Sequence, residues 1–361
     1  MLALNITSRF VVFYGENGAG KTNILEAISL FSPDRGLRRS PIADLNAIGS
    51  GALSWHLDLM INKNEYNIFL STNANTGRRV AKIDNSAVPT LSKFEEIIWI
   101  LWLVPSMDNL FINPISERRS FFDHLVSGHD KQHKQNLRKL LELQRERLHV
   151  IFHRKDEQWL AVLEEKMAEK NVAITKARLE FINLLHETFL KYPSDFLRPK
   201  VSVSGIVENI FLSRSEEDAV LEIAFMLKNK RYEDSEKQST SVSVQKSHWH
   251  ARHASSNLDA ENCSTGEQKA FLISLVLAVV RIYQQKRSGT PILLLDDLMV
   301  HLDKTRRHSL LAELKSIDVQ TFFTGTDIAF FENIMDVAQI CRVKNSVCSV
   351  EQEISIMLAL C

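Results

Sequence analysis

The residues Gly15-Glu16-Asn17-Gly18-Ala19-Gly20-Lys21-Thr22 match the pattern G-x-x-x-x-G-K-[ST]. Chemistry of a definite kind follows from that order of residues. Glycines let a loop wrap a phosphate without Cβ clashes. Successive backbone N–H groups and a helix N-terminus then supply donors and positive potential. Lys21 would reach the β- and γ-phosphates, and the Thr22 hydroxyl would ligate Mg²⁺. The flanking residues give the context the pattern requires. Phe10 to Tyr14 is an aromatic and β-branched run that predicts a buried strand. Ile24, Leu25, Ile28 and Phe31 recur at helical spacing, and Pro33 and Gly36 end that helix.

Two further segments carry chemistry. Ile292-Leu293-Leu294-Leu295-Asp296-Asp297 is an apolar run ending in carboxylates. It suits a central parallel strand whose C-terminal end meets a ligand, and equally a buried strand followed by a capping aspartate. Paired with the glycine loop, Asp296 would help hold Mg²⁺ and Asp297 would sit beside the attacking water. Cys263-Ser264-Thr265-Gly266-Glu267-Gln268 has a serine three residues before a glutamate, ahead of the apolar stretch Phe271 to Ile282. That is a helix cap, and a capped helix start is itself an anion site.

The elements that position these segments read as three regions. Residues 1–125 mix short apolar runs with turns and form a first region. Leu57, Leu59 and Ile61, then Tyr66, Ile68 and Leu70, alternate as a hairpin around Asn62 to Glu65. Residues 126–200 read as an inserted arm of two long antiparallel helices. Their apolar stripes are Leu137, Leu140, Leu141 and Leu148, and Leu163, Met167, Ile174, Ala177, Phe181, Leu184 and Leu185. Charged residues between the stripes are taken as a solvated face. Residues 201–361 return to strand and helix, with a loop within the polar stretch Lys228 to Ser256. The fold class is α/β.

Composition sets limits. The chain has 361 residues, 45% hydrophobic and 24% charged, which suits about two globular domains and excludes a disordered or fibrous chain. Lys and Arg total 44 and Asp and Glu total 44, so nucleic-acid binding would need a local basic surface. The longest apolar run, Ile97 to Val104, stops at Pro105, well short of the roughly 20 residues of a membrane span. Met1 to Tyr14 lacks the features of a signal peptide. Cys263, Cys341, Cys348 and Cys361 are scattered, which speaks against structural zinc or a disulfide framework and fits a reducing, cytoplasmic setting. His133, His149 and His153 read as surface or packing residues. Trp99 and Trp102 read as core.

The order of these segments resembles the layout of ABC-type P-loop ATPase heads, and more closely the RecF family of bacterial DNA replication and repair ATPases related to SMC proteins. The residues that carry the resemblance are Gly15 to Glu26, Ser32 to Arg38, Trp102 to Pro105 with Met107, Arg118 to Asp123, Ser264 to Ala270, Leu293 to Asp303, and Thr324 to Asp327. They span nearly the whole chain. The resemblance implies an ATPase head with an inserted antiparallel helical arm. It implies ATP held between two copies, the glycine loop of one facing the Ser264 helix of the other, with Gly266 and Asp303 at the same seam. It further implies ATP-dependent homodimerisation, binding of single-stranded or gapped DNA, and work with RecR and RecO, and indirectly RecA, in recombinational repair and the SOS response. Arg35, Arg38, Arg39, Arg118 and Arg119 are then candidates for the DNA backbone.

The chain also departs from the pattern. ABC heads usually carry Glu where this chain has Asp297, which predicts slow hydrolysis at most. The alternative is a nucleotide-binding interaction module with little or no turnover. Ser243 to His248 stands where a Gly-x-His-Arg segment is common, and Asp34 where Gly is usual. Only 14 residues precede Gly15, so leading strands are expected upstream or the sheet edge is incomplete. A transporter ATPase is disfavoured by the long arm and by the lack of glutamine between Leu101 and Phe111.

Overall fold

The computed structural model describes residues 2–33, 36–41, 55–61, 66–72, 79–153, 156–286, 290–345 and 347–352. In chain order the elements are β1 (Phe10–Tyr14), α1 (Lys21–Ser29), β2 (His56–Ile61), β3 (Tyr66–Thr72), β4 (Arg79–Ile83), β5 (Ser86–Val88) and β6 (Ile98–Leu103). There follow α2 (Ile115–His129), α3 (Lys131–His153), α4 (Glu157–Lys191), β7 (Pro199–Ser204), α5 (Ile206–Ser213), α6 (Glu216–Asn229) and α7 (Arg231–Lys237). The chain ends through β8 (His248–His253), α8 (Thr265–Lys286), β9 (Thr290–Leu295), α9 (Lys304–Ser316), β10 (Gln320–Gly325), β11 (Ala338–Lys344) and β12 (Val347–Gln352). They form two compact units, one of Met1–Met107 with Tyr283–Cys361, the other of Asp108–Ile282. These boundaries differ from those expected at 125 and 200. The Ser264 segment groups with the helical unit, and α8 carries the chain from one unit to the other.

The first unit is built on a sheet of order β12-β11-β1-β10-β9-β6. All neighbours from β11 to β6 are parallel, and only β12 runs antiparallel. Phe10, Val11, Val12 and Phe13 of β1 are all buried, as a strand covered on both faces must be. The motif strands β1 and β9 therefore point their C-terminal ends the same way, with β10 between them. Open parallel sheets bind ligands at that end. Trp99 is buried edge-on to Tyr283, ring centroids 4.0 Å apart, and Trp102 packs partly buried against the core that holds Ile98 and Ile100.

A second, antiparallel sheet, β2-β3-β4-β5, belongs to the same unit. Its β2–β3 pairing, from His56↔Ser71 to Ile61↔Tyr66, is the hairpin expected from alternation, though Asn62 to Glu65 lie outside the described residues. The β4–β5 hairpin turns on Asp84 and Asn85, both left-handed at φ 48° and 67°. Two such residues make the turn whose twist matches paired strands.

The second unit corrects the simple two-helix arm. α3 and α4 do pack antiparallel: Glu146 accepts from the Trp159 indole near their junction, while Asn136 and Ala173 line one groove farther along. Leu140, Leu143, Leu163 and Met167 share their core with Val207 and Ile210 of α5 and Ala219, Ile223 and Leu227 of α6. Leu141, expected in the stripe, is 39% exposed. The polar stretch 228–256 contains α7 and β8 as well as a loop. β8 pairs antiparallel with β7.

The supposed solvated face also hides charge. Arg147 is fully buried, with Nε on Glu164 Oε1 at 2.9 Å and Nη1 on Asp234 Oδ2 at 2.7 Å. Arg178 is fully buried too, and donates to both oxygens of Asp123 at 2.8 Å. His133 is likewise buried, its Nε2 3.0 Å from Asp123 Oδ1. His149 and His153 stay outside, their ring centroids 4.7 Å apart. Among the described residues no cluster of three potential metal ligands occurs, and no helix is long and apolar enough to cross a membrane.

Candidate nucleotide site

The glycine loop joins β1 to α1 in the first unit. Gly15 must be glycine because its backbone meets β11: a Cβ there would lie 2.1 Å from the Val343 carbonyl oxygen. Gly20 caps α1 at φ 103°, a left-handed conformation that a side chain would strain. Among the described residues no side chain caps α1, and its first turn holds no acidic residue, which leaves its N–H groups suited to an anion. Glu16, Asn17 and Gly18 are exposed, while Ala19 is buried beneath them. Lys21 is 4% exposed, and its Nζ donates to Gly15 O at 2.8 Å and Glu16 O at 2.9 Å. The ammonium is thus folded beneath the loop it would serve.

Four groups close the site from the side of β9. Thr22 Oγ1 donates to Asp296 Oδ1 at 3.0 Å, and Thr324 Oγ1 donates to the same oxygen at 2.7 Å. The Asp297 amide donates to Thr324 Oγ1 at 2.8 Å. The Asp296 amide donates to Leu103 O on β6 at 2.9 Å, which fixes the strand end. Asp297 sits at φ 47°, left-handed, and its Oδ1 is buried with no hydrogen-bond partner among the described residues. Burial pushes the Asp297 carboxyl above its ordinary value, Asp296 adds to that, and Lys21 and His301 oppose it. A buried, unpaired carboxylate oxygen of raised basicity is suited to accept a proton.

Behind α1, Glu26 is buried and its Oε2 accepts from the Arg38 amide at 3.0 Å. Arg38 Nη1 donates to Asn23 Oδ1 at 2.8 Å. Arg38 and Arg39 are exposed, whereas Asp34 and Arg35 lie outside the described residues. Arg118 is engaged by Phe111 O and by Glu261, at 2.9 and 3.1 Å, and half-buried Arg119 reaches Ser247 O. These two guanidiniums serve the helical unit itself rather than standing free for phosphate.

In the second unit Ser264 is exposed at the start of α8. Its Oγ accepts from the Glu267 amide at 3.3 Å, while Glu267 Oε2 accepts from Ser264 N and Oγ at 2.8 Å. This reciprocal cap is the one its spacing announced. Gly266 lies in the first turn. An anion arriving there would replace the Glu267 carboxylate on the same donors. Asp303 is exposed and caps α9, accepting from the Arg306 amide at 2.8 Å.

Of the expected residues, the structure brings together Lys21, Thr22, Asp296 and Asp297. Ser264 and Asp303 are exposed at helix starts, and Gly266 is half-buried in the first turn of α8. The role of Thr324 was not legible, although Thr324 to Asp327 fit the family pattern. A hydroxyl at a strand end is a signal only once the strand order is known.

The family described as AAA domain matches residues 2–248. The DNA replication and repair protein RecF of Mesorhizobium japonicum is 36% identical over 348 residues, which is 95% of this chain and 92% of that protein. RecF of Rickettsia bellii is 35% identical over 338 residues, 92% of each. Among solved structures, the recombination mediator protein RecF-ATPrS of the RecFOR pathway aligns at TM-score 0.82 and 21% identity, covering 97% of this chain and 94% of that one. An Smc head domain from Pyrococcus furiosus, with an extended coiled coil and bound to the C-terminal domain of ScpA, aligns at TM-score 0.51 and 17% identity, covering 95% and 89%. These structural likenesses establish the ATPase-head fold, the sequence identities establish kinship, and the chain belongs to the RecF family of DNA replication and repair proteins.

Proposed function

We propose that this chain is an ATP-controlled clamp on single-stranded or gapped DNA, closed as a homodimer by ATP and opened by hydrolysis. One observation carries the reading. The chain presents a cradle with its own buried ammonium and the carboxylates of Asp296 and Asp297, and also an exposed serine-capped helix start closed on its own Glu267. A two-fold assembly would let each copy's Ser264 helix, with Gly266 and Asp303, complete the other's site. The glycine cradle, the Thr22–Asp296 pair and the unpartnered Asp297 oxygen fit a magnesium triphosphate. Lys21 would exchange two loop carbonyls for phosphate oxygens. Thr22 and Asp296 would hold Mg²⁺, which when bound neutralises phosphoryl charge. Asp297 Oδ1 would take the proton of the attacking water. Only a triphosphate reaches both partners, so the affinity difference between closed and open states drives closure. The family's work in recombinational repair, with RecR, RecO and indirectly RecA, and in the SOS response, then belongs to this chain in the cytoplasm. Its DNA contacts would be salt-dependent and insensitive to base sequence.

Measuring molar mass and DNA retention with ATP, with ADP and without nucleotide tests the clamp. Dimer and retained DNA are expected with ATP alone; equal dimerisation in all three conditions would sink the model. A second reading, an interaction module with little or no hydrolysis, is favoured by the short Asp297 side chain. Asp297→Glu separates the two. A weak, DNA-stimulated ATPase should gain at least about tenfold in rate from the longer carboxylate. No turnover in either form selects the module.

A further inference from the structure

Thr324 lies on β10, the strand between β1 and β9. Thr324 is in register with Phe13, and Phe323 with Leu295, so Thr324 stands beside the end of the acidic strand. It is fully buried. A buried β-branched residue on a central strand is ordinary, and valine would serve the sheet equally well. The hydroxyl is what needs explaining. Its proton goes to Asp296 Oδ1 at 2.7 Å, and its lone pair receives the Asp297 amide at 2.8 Å. One hydroxyl therefore holds two successive carboxylate residues by different handles: the side chain of the first and the backbone of the second. The second handle matters because Asp297 is left-handed at φ 47°, a conformation that strains a non-glycine residue and must be held by its surroundings.

We infer that Thr324 is a positioning residue that couples the metal-holding carboxylate to the water-facing one. This rests on the nucleotide reading given above. Asp296 Oδ1 is shared by Thr22 and Thr324. If Thr22 is drawn to a metal, Thr324 remains as the donor that orients Oδ1. The same hydroxyl keeps the left-handed turn that aims Asp297. The Thr324 hydroxyl is spent on Asp296 and the Asp297 amide, and acts through them.

The test compares the full-length wild type with Thr324→Val and Thr324→Ser. ATP binding is titrated against Mg²⁺, and turnover and thermal midpoint are measured alongside. For Thr324→Val, affinity for ATP without Mg²⁺ should stay within about twofold. The half-saturating Mg²⁺ concentration should rise at least about fivefold, and turnover should fall at least about tenfold. Thr324→Ser should remain within about threefold on both counts. At saturating Mg²⁺, adding Thr324→Val to Asp297→Ala should slow turnover no further, because the hold on Asp297 is already lost and excess metal offsets the loss at Asp296. If wild type shows no turnover, the Mg²⁺ titration decides alone. The inference is overturned if Thr324→Val matches wild type in Mg²⁺ dependence, if serine fails to rescue, or if metal-free ATP binding and thermal midpoint collapse together. Absence of ATP binding by wild type would overturn the nucleotide reading itself, and is distinguished by that control.

Discussion

Lys21→Ala should lower the affinity for ATP by at least about a hundredfold, which is roughly 2.7 kcal/mol of binding free energy. The size follows from where the ammonium lies. Lys21 is 4% exposed and its Nζ donates to the carbonyls of Gly15 and Glu16, so it is a preformed, largely desolvated positive charge beneath the loop. A charge in that position interacts with phosphate far more strongly than one in water. Part of its work is done before any ligand arrives, because it holds the loop's own carbonyls together. Its removal should also cost about 1–2 kcal/mol of stability, through two charge-assisted hydrogen bonds lost from a partly buried loop.

A second effect follows at Asp297. Lys21 holds the Asp297 carboxyl down against burial and against Asp296. Without Lys21 that carboxyl rises further, and less of it is ionised to accept a proton. Any residual turnover of Lys21→Ala at saturating ATP should therefore have its acid limb at higher pH than in wild type. Fluorescent-nucleotide titration and a pH–rate profile check the two parts. Unaltered binding would refute the placement of the phosphate cradle.

The cradle was readable in the chain because its geometry is local. Gly15 to Thr22, the strand before and the helix after lie within about one βα unit, and each residue type has a backbone reason to be there. The Ser264–Glu267 cap is local in the same way. What was not readable depended on distant partners. Thr324 acquires its role only because β10 folds between β1 and β9. Arg147 and Arg178 look like surface charges on helices until Asp234 and Asp123, 87 and 55 residues away, are brought to them. The polar run 228–256 offered few apolar residues. Even so, α7 forms there, because buried Asp234 accepts from Arg147 and from the Ser241 amide. Charged residues that satisfy one another in the interior leave no hydrophobic periodicity to find.

Arg178→Met should be the most damaging single change in the helical unit, costing about 3–5 kcal/mol. Arg178 Nε and Nη2 grip Asp123, and Nη1 reaches Val244 O at 3.0 Å and Glu208 Oε1 at 3.4 Å, all of them buried. Methionine fills the space but leaves two carboxylates facing each other's surroundings without their cation. Burial alone would raise the Asp123 carboxyl, yet Arg178 and His133 outweigh it and hold it below its ordinary value. A carboxyl depressed in the fold contributes stability above its unfolded pKa, about 3.9, and loses it as pH falls through the lower folded value. In Arg178→Met the larger cause of depression is gone and His133 alone stands against burial, so Asp123 becomes a liability that grows as pH rises. The stability gap between wild type and variant should accordingly be widest near neutrality and shrink towards about pH 4. Adding Asp123→Asn should recover part of the loss near neutrality, because the unpaired charge is removed with its partner. Urea unfolding of the three proteins at both pH values measures this. A gap that is small near neutrality, or that widens in acid, would mean that the buried ions do not hold this unit together.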